Sequence, residues 1–331
     1  MVRAAIVNLR TAEERRTLRR RLGPLAHNLV RPSTLNRYAA CFQQFVDHLR
    51  SLTHIWPASK EEYDSIVSDY LELLWDTGEP RSSGAYALAS IQFYIPQLRR
   101  HLPRSWKLKA IWDKLELPAQ AVPLSLEHTV AISGYFAKGG SWRVSLGILV
   151  CFNAMLRTGE LLHLRVGDVI FSQDCCVLHL GETKGAKRKL LQDETVVLSD
   201  PLTLSCLRAL VAHQAPGNYL LQISPSSFRT EWNKMKVFFK LTPFRILPYS
   251  LRRGGATWYH SQTNNFHKTM QKGRWEHLKT CRLYIADAQL ALSQVLLPQE
   301  CLAKLDNYYN IFWPQLVNWC SQGRVEGIRR D

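Results

Sequence analysis

From Pro32 onward, apolar residues recur at three- and four-residue steps, the spacing that lays a single apolar stripe along an α-helix. Leu35, Tyr38, Phe42, Phe45, Val46 and Leu49 form the first stripe, with Ser33 or Thr34 as candidate caps. A second stripe runs through Tyr63, Ile66, Val67, Tyr70, Leu71 and Leu74 and stops before Gly78. A third, over 83–101, carries Ala85, Leu88, Ile91, Tyr94, Ile95 and Leu98, and a shorter one surrounds Trp106, Ile111 and Trp112. Four helices with short connections predict an all-α unit ending between Pro118 and Pro123.

The pattern then becomes mixed. An amphipathic helix is expected at 126–137 and a strongly apolar one at 142–156. Two short strands follow, Cys176–Leu180 and Lys189–Leu198. The polar, Gly-containing segment Gly181-Glu-Thr-Lys-Gly-Ala-Lys-Arg188 between them reads as a β-hairpin turn. Beyond Pro201 the pattern is helical again to about 295, and the tail, 296–331, holds Tyr308, Tyr309, Phe312, Trp313 and Trp319. The expected fold class is mainly α with a small β-sheet or hairpin, an α+β chain. The longest apolar run, Val144 to Leu156, is broken by Asn153 and is too short to span a bilayer, and the N-terminus has no long apolar core.

Composition narrows the partner. The 331-residue chain is 46% hydrophobic and 21% charged, values of a folded protein, and carries a formal net charge of +16. That excess favours a polyanion, and it lies mainly in Arg, whose planar fork grips phosphate. Residues 1–31 hold eight Arg against two Glu, as a basic arm on DNA or a solvated helix would. The eight Cys (41, 151, 175, 176, 206, 281, 301 and 320) include no C-x-x-C pair, so buried free thiols of an intracellular protein are expected. Neither Cys nor His shows metal-ligand spacing, and no metal site is expected.

Four segments carry candidate chemistry. Met155-Leu-Arg-Thr-Gly-Glu-Leu-Leu162 puts Arg157 at the end of the apolar helix with Glu160 a turn on to orient it; alone, a surface ion pair explains it as well. Lys184 sits at the presumed hairpin tip, followed by Lys187, Arg188 and Lys189, and is either a groove-probing lysine or a solubilising one. In Pro248-Tyr-Ser-Leu-Arg-Arg-Gly-Gly-Ala-Thr257, a helix starting near Ser250 brings Tyr249 and Arg252 to one side. Gly254, Gly255 and Ala256 there permit a close backbone approach. Finally, Gly273-Arg-Trp-Glu-His-Leu-Lys-Thr-Cys-Arg-Leu-Tyr284 carries Trp275 and, nine residues on, Tyr284, each of which also reads as a core aromatic.

Taken in order and spacing, these segments resemble the tyrosine recombinase (phage integrase) family over residues 32–290. The resemblance implies a basic N-terminal arm (1–31), a helical core-binding domain that clamps DNA (32–120), a catalytic domain (121–295) and a C-terminal tail (296–331). It implies that Arg157 and Arg252 bind the scissile phosphate, with Glu160 supporting Arg157, and that Lys184 protonates the leaving 5′-oxygen. Trp275 would contact the phosphate or position Tyr284, which would attack to form a 3′-phosphotyrosine; Lys187 and Arg188 would touch DNA. Such chemistry needs no cofactor, metal or ATP. The implied partners are double-stranded DNA and further protomers, the implied location intracellular on DNA, and the implied origin a mobile element. One departure stands out. Tyr249 occupies a position that the family usually fills with His, and a phenol is a poor proton shuttle near neutrality. Leu156 likewise replaces a common Gly. A catalytically impaired, recombinase-derived DNA-binding protein and a type IB topoisomerase-like enzyme are the rival readings.

Overall fold

The computed structural model describes residues 11–22, 24, 29–52, 56–116, 120–181, 194–285 and 297–321. The chain divides into two units, one of residues 8–119 and one formed mainly by 120–331.

The first unit is helical. Helix α1 (Ala12–Leu22) opens on a reciprocal cap, with Thr11 N–H donating to Glu14 Oε2 at 3.0 Å and Glu14 N–H to Thr11 Oγ1 at 3.2 Å. The described side chains of α1 are exposed, among them Arg15, Arg16 and Arg19–Arg21. Helices α2 (Pro32–Leu52), α3 (Lys60–Asp76), α4 (Arg81–Tyr94) and α5 (Pro103–Leu115) pack around Phe45, Val67, Tyr70, Leu71, Leu88, Ile91, Leu98 and Leu102. The third apolar stripe, expected to run to 101, breaks at Tyr94 because Pro96 excludes the helical conformation for Ile95; a 3₁₀ turn, Pro96–Leu98, follows. Ser33 and Thr34 lie inside α2, which begins at Pro32.

Helix α5 has no local side-chain cap. Its first turn is held by the buried Asp64 of α3, whose carboxylate accepts from Arg104 N at 2.8 Å, Ser105 N at 2.9 Å and Ser105 Oγ at 2.6 Å. A carboxylate on exposed helix-end N–H groups also meets the positive end of the dipole.

The second unit starts with α6 (Leu126–Lys138), capped by Ser125, and α7 (Trp142–Asn153), which is buried from Val144 to Asn153. The sequence predicts that this apolar helix runs on to Arg157. It stops earlier because Met155 adopts a left-handed φ of 47°, and Arg157 instead caps a new helix, α8 (Thr158–His163). Strands β1 (Val169–Phe171), β2 (Cys176–His179) and β3 (Thr195–Leu198) form one antiparallel sheet in the order β1-β2-β3. Cys176 pairs with Leu198 and His179 with Thr195, which buries Cys176, Leu178, Val196 and Leu198 on one face. At three residues, β1 is too short for an alternating pattern to announce it.

Helices α9 (Pro201–Val211) and α10 (Pro225–Phe238) each start on a Pro behind a capping Asp200 or Ser224. Then come α11 (Tyr249–Thr263), α12 (Phe266–Gly273) and α13 (Leu278–Tyr284). The aromatic tail forms α14 (Gln299–Ser321), which packs on α6 of its own chain, burying Cys301, Leu305 and Leu316. All eight cysteines are free, five of them buried, and no described helix is long and apolar enough to cross a membrane.

Candidate active site

Helix α11 approaches its neighbours more closely than any side chain would allow. A Cβ built on Gly255 would stand 2.0 Å from the Phe152 carbonyl oxygen of α7, and one on Gly254 would stand 1.9 Å from the Leu124 carbonyl oxygen. This backbone contact carries Arg252, one turn earlier, deep beneath the surface. Its side chain is fully buried, with Nη1 donating to the Met155 carbonyl and Nη2 to the Gly273 carbonyl at 2.6 Å. The guanidinium also faces the Trp275 ring at 5.0 Å and the Tyr284 ring at 5.5 Å.

The two aromatics pack together, their centroids 4.5 Å apart at 37°. Gly273 makes room for the fold-back of Trp275, whose ring would lie 2.0 Å from a Cβ at that position. The Trp275 indole N–H is buried with no acceptor among the described residues. Tyr284 closes α13, and its hydroxyl is hydrogen-bonded to the Tyr249 hydroxyl at the start of α11. Arg157, on the other side of Met155, is 32% exposed and pairs with Glu160, which also accepts its backbone N–H at 2.8 Å. Arg157, Glu160, Tyr249, Arg252, Trp275 and Tyr284 therefore converge. Lys184, Lys187 and Arg188 lie outside the described residues.

Two residues that the sequence did not single out complete the cluster. Arg274 stands between Gly273 and Trp275, in the left-handed region at φ 61°. An L-residue there gives up about 1 kcal/mol relative to glycine. Its buried guanidinium donates through Nη2 to Glu160 Oε2 at 2.8 Å and to the Met155 carbonyl at 3.1 Å. Glu194, just before β3, brings Oε2 to within 3.8 Å of both Arg157 and Arg274. The Met155 carbonyl is thus shared by Arg252 and Arg274. The available signal for Arg274 was its place inside the Gly-Arg-Trp segment; for Glu194 it was the acidic pair Asp193-Glu194 just before an apolar strand.

The electrostatics follow from this packing. Burial disfavours ionised Glu160, but Arg274, Arg157 and the backbone hydrogen bond outweigh it and hold the carboxyl below its ordinary 4.5. Arg252 is lowered to about 10, first by burial and then by Arg274 and Arg157. Burial, followed by the hydrogen bond with Tyr284, pushes the Tyr249 phenol far up, so it stays protonated at neutral pH.

A carboxyl with a depressed folded-state pKa stabilises the fold above its ordinary value, and that contribution is lost as pH falls through the folded pKa. Glu160→Gln is therefore expected to cost about 3 kcal/mol at pH 7, where it leaves buried arginines short of a counter-charge. In denaturant titrations at pH 7 and pH 3, the gap between wild type and variant should narrow at the lower pH. A constant gap would refute the assignment.

Among the described residues no group of His, Cys, Asp or Glu is arranged to hold a metal ion.

No protein-family profile matches the chain. Over 210 residues the sequence is 25% identical to the tyrosine recombinase XerA of Pyrococcus horikoshii, covering 60% of this chain and 68% of that protein. The fold matches the site-specific recombinase XerH in a post-cleavage complex with a palindromic difH substrate, at a TM-score of 0.52 and 14% identity over 88% of this chain and 86% of that one. It also matches the Tn1549 transposon integrase in complex with transposon right-end DNA, at a TM-score of 0.51 and 10% identity over 85% and 96% of the respective chains.

Proposed function

We propose that this chain, which is similar to tyrosine recombinases in sequence and in fold, is a member of that family and a site-specific DNA recombinase or integrase of a mobile element, cutting and rejoining DNA through a 3′-phosphotyrosine on Tyr284. The observation that carries this reading is the meeting of Tyr284 with Trp275 of its own segment and with Tyr249 and Arg252 of the α11 segment.

In this reading the Tyr284 Oη–P bond forms as the P–O5′ bond breaks. The phenol gives up its proton to solvent, and the departing 5′-oxygen gains one from Lys184. Arg157 and Arg252 stabilise the charge on the non-bridging oxygens in the transition state, and the indole N–H of Trp275 supplies a further donor. A 5′-hydroxyl from another strand then attacks the phosphotyrosine and reseals the DNA. The phosphodiester energy is retained in the covalent link, which makes ATP and metal unnecessary. The helical residues 32–120 serve as the core-binding domain and 121–295 as the catalytic domain, with Lys187 and Arg188 on the DNA backbone. Affinity then comes largely from phosphate contacts and falls steeply with salt.

Two features favour a second reading, a recombinase-derived DNA-binding protein without full activity. Tyr249 stands where the family usually has His, and Arg252 is fully buried beneath the Trp275 and Tyr284 rings. The deciding experiment offers the protein a nicked DNA substrate carrying its own site, so that the cleaved strand diffuses away and any covalent complex accumulates. A complex attached through the Leu278–Tyr284 helix supports the recombinase. Site-specific binding without a covalent product supports the second reading, and relaxation of supercoiled DNA of any sequence points to a topoisomerase.

The phenol of Tyr249 makes its own prediction. It can donate a hydrogen bond but cannot exchange protons near neutrality, so Tyr249→His is expected to keep or raise the cleavage rate. A loss of more than about tenfold would assign the phenol a specific role that imidazole cannot fill.

A further inference from the structure

Among the described residues around Met155 the charges do not balance, and the residue responsible is Arg274. Arg157, Arg252 and Arg274 bring three positive charges into contact with one another's partners, while Glu160 and Glu194 bring two negative ones. Among these five described groups, which leave Lys184 out of the count, one positive charge is left over, the amount a single phosphodiester neutralises. Without Arg274 the sum would be zero. Glu160 already pairs with Arg157, and Glu194 is equally near Arg157 and Arg274. The two carboxylates would then cancel the charge of the two arginines assigned to the phosphate.

We propose that Arg274 is a positioning residue that carries the counter-charge of Glu160 and Glu194, leaving Arg157 and Arg252 available to the scissile phosphate. Its geometry fits that role better than direct contact with DNA. The side chain is 5% exposed, is directed at Glu160 and the Met155 carbonyl, and shares that carbonyl with Arg252. A left-handed φ at a non-glycine residue is a second sign that the side chain is wanted there. Arg274 acts through the other arginines, so it touches no reacting atom.

This inference rests on the recombinase reading, and its test separates the two. The variants are Arg274→Gly, which suits the left-handed backbone, Arg274→Lys, Glu194→Gln, and Arg274→Gly combined with Glu194→Gln. Each is measured for thermal midpoint, DNA affinity and the single-turnover rate of covalent complex formation on the nicked substrate. Arg274→Gly is expected to slow the covalent step by about a hundredfold, as removal of one buried unit charge that offsets the carboxylates behind the phosphate-binding arginines should. Affinity should change by less than about threefold, because most of it comes from other phosphate contacts. The double variant restores the surplus charge and should recover about tenfold or more of that loss. A merely structural role predicts the opposite, with the double variant slower than the single.

The proposal falls if Arg274→Gly leaves the rate unchanged or if the double variant is no faster. Should Arg274→Gly fail to fold, Arg274→Lys keeps the charge and decides: a rate within about tenfold of wild type supports the proposal, and a larger loss overturns it. If the wild-type protein forms no covalent complex at all, the recombinase reading has failed, and inorganic phosphate serves as the probe. Wild type and the double variant should then gain thermal stability from millimolar phosphate while Arg274→Gly does not. An equal gain in all of them overturns the charge argument.

Discussion

Tyr284→Phe should abolish the covalent DNA complex while leaving the protein folded and bound to its site. The substitution removes one oxygen, and the only hydrogen bond from it among the described residues is to Tyr249. Losing that bond costs about 1 kcal/mol, a small part of the 5–15 kcal/mol that typically holds a domain together. The ring itself stays, and with it the packing on Trp275 and over Arg252. Thermal midpoint and DNA affinity should therefore scarcely move, while covalent product drops by a factor of about 10⁴ or more, since no other group offers the same nucleophile. Tyr249 is the internal control. Its hydroxyl lies against that of Tyr284, and if the attacking oxygen were the wrong one of the pair, Tyr284→Phe would retain covalent product and Tyr249→Phe would lose it. That outcome would reassign the nucleophile.

The second large effect is on stability. Gly255→Ala would place a methyl group 2.0 Å from the Phe152 carbonyl oxygen, and both atoms belong to the backbones of packed helices. Neither can swing aside as a side chain would, so α11 and α7 must separate. The expected cost is about 3 kcal/mol, at the upper end for overpacking. In a unit of this size that lowers the melting midpoint by about 6–12 °C. Activity should fall further than stability alone explains, because α11 carries Tyr249 and Arg252. Gly159→Ala is the contrasting case. It lies in α8 with no heavy atom within 4 Å of its added Cβ, and it should be neutral or stabilise by about 0.5–1 kcal/mol through helix propensity. Equal melting points for the two alanine variants would show that the close approach of α11 is not real.

The helices α2 to α6 were legible in the sequence because each buries a stripe, and a stripe leaves a period; α7 was legible as a continuous apolar run. The end of α3 was legible because Gly78 follows it, whereas the third stripe reads on to 101, past the Pro96 that ends α4 at Tyr94. The end of α7 was not legible, because Met155 enters the left-handed region without a glycine or asparagine to announce it. Arg157 consequently opens α8, and its Glu160 partner reaches it as an N3 residue reaches a cap. In the site, residues with a familiar order could be read in advance. Arg274 and Glu194 could not, because what matters about them is whom they meet across 114 positions in the case of Arg274 and Glu160. Long-range pairing of this kind has no local period. The Asp64 cap on α5 escaped for the same reason, its acceptors and donors lying 40 and 41 residues apart.

The docking of α14 bears on how copies of this protein can associate. A Cβ at Gly134 of α6 would meet the Cβ of Phe312 at 2.8 Å, and Tyr308 packs on Phe238 and Phe239 at 5.4 and 5.3 Å. The socket for this helix is already filled by the chain that owns it. A neighbour's helix can enter only after the resident one has left, so any handover of α14 between protomers is an exchange and not a simple addition. Its rate would be governed by undocking and would level off as protein concentration rises, and every vacated socket would expose a band of aromatic surface until it was refilled.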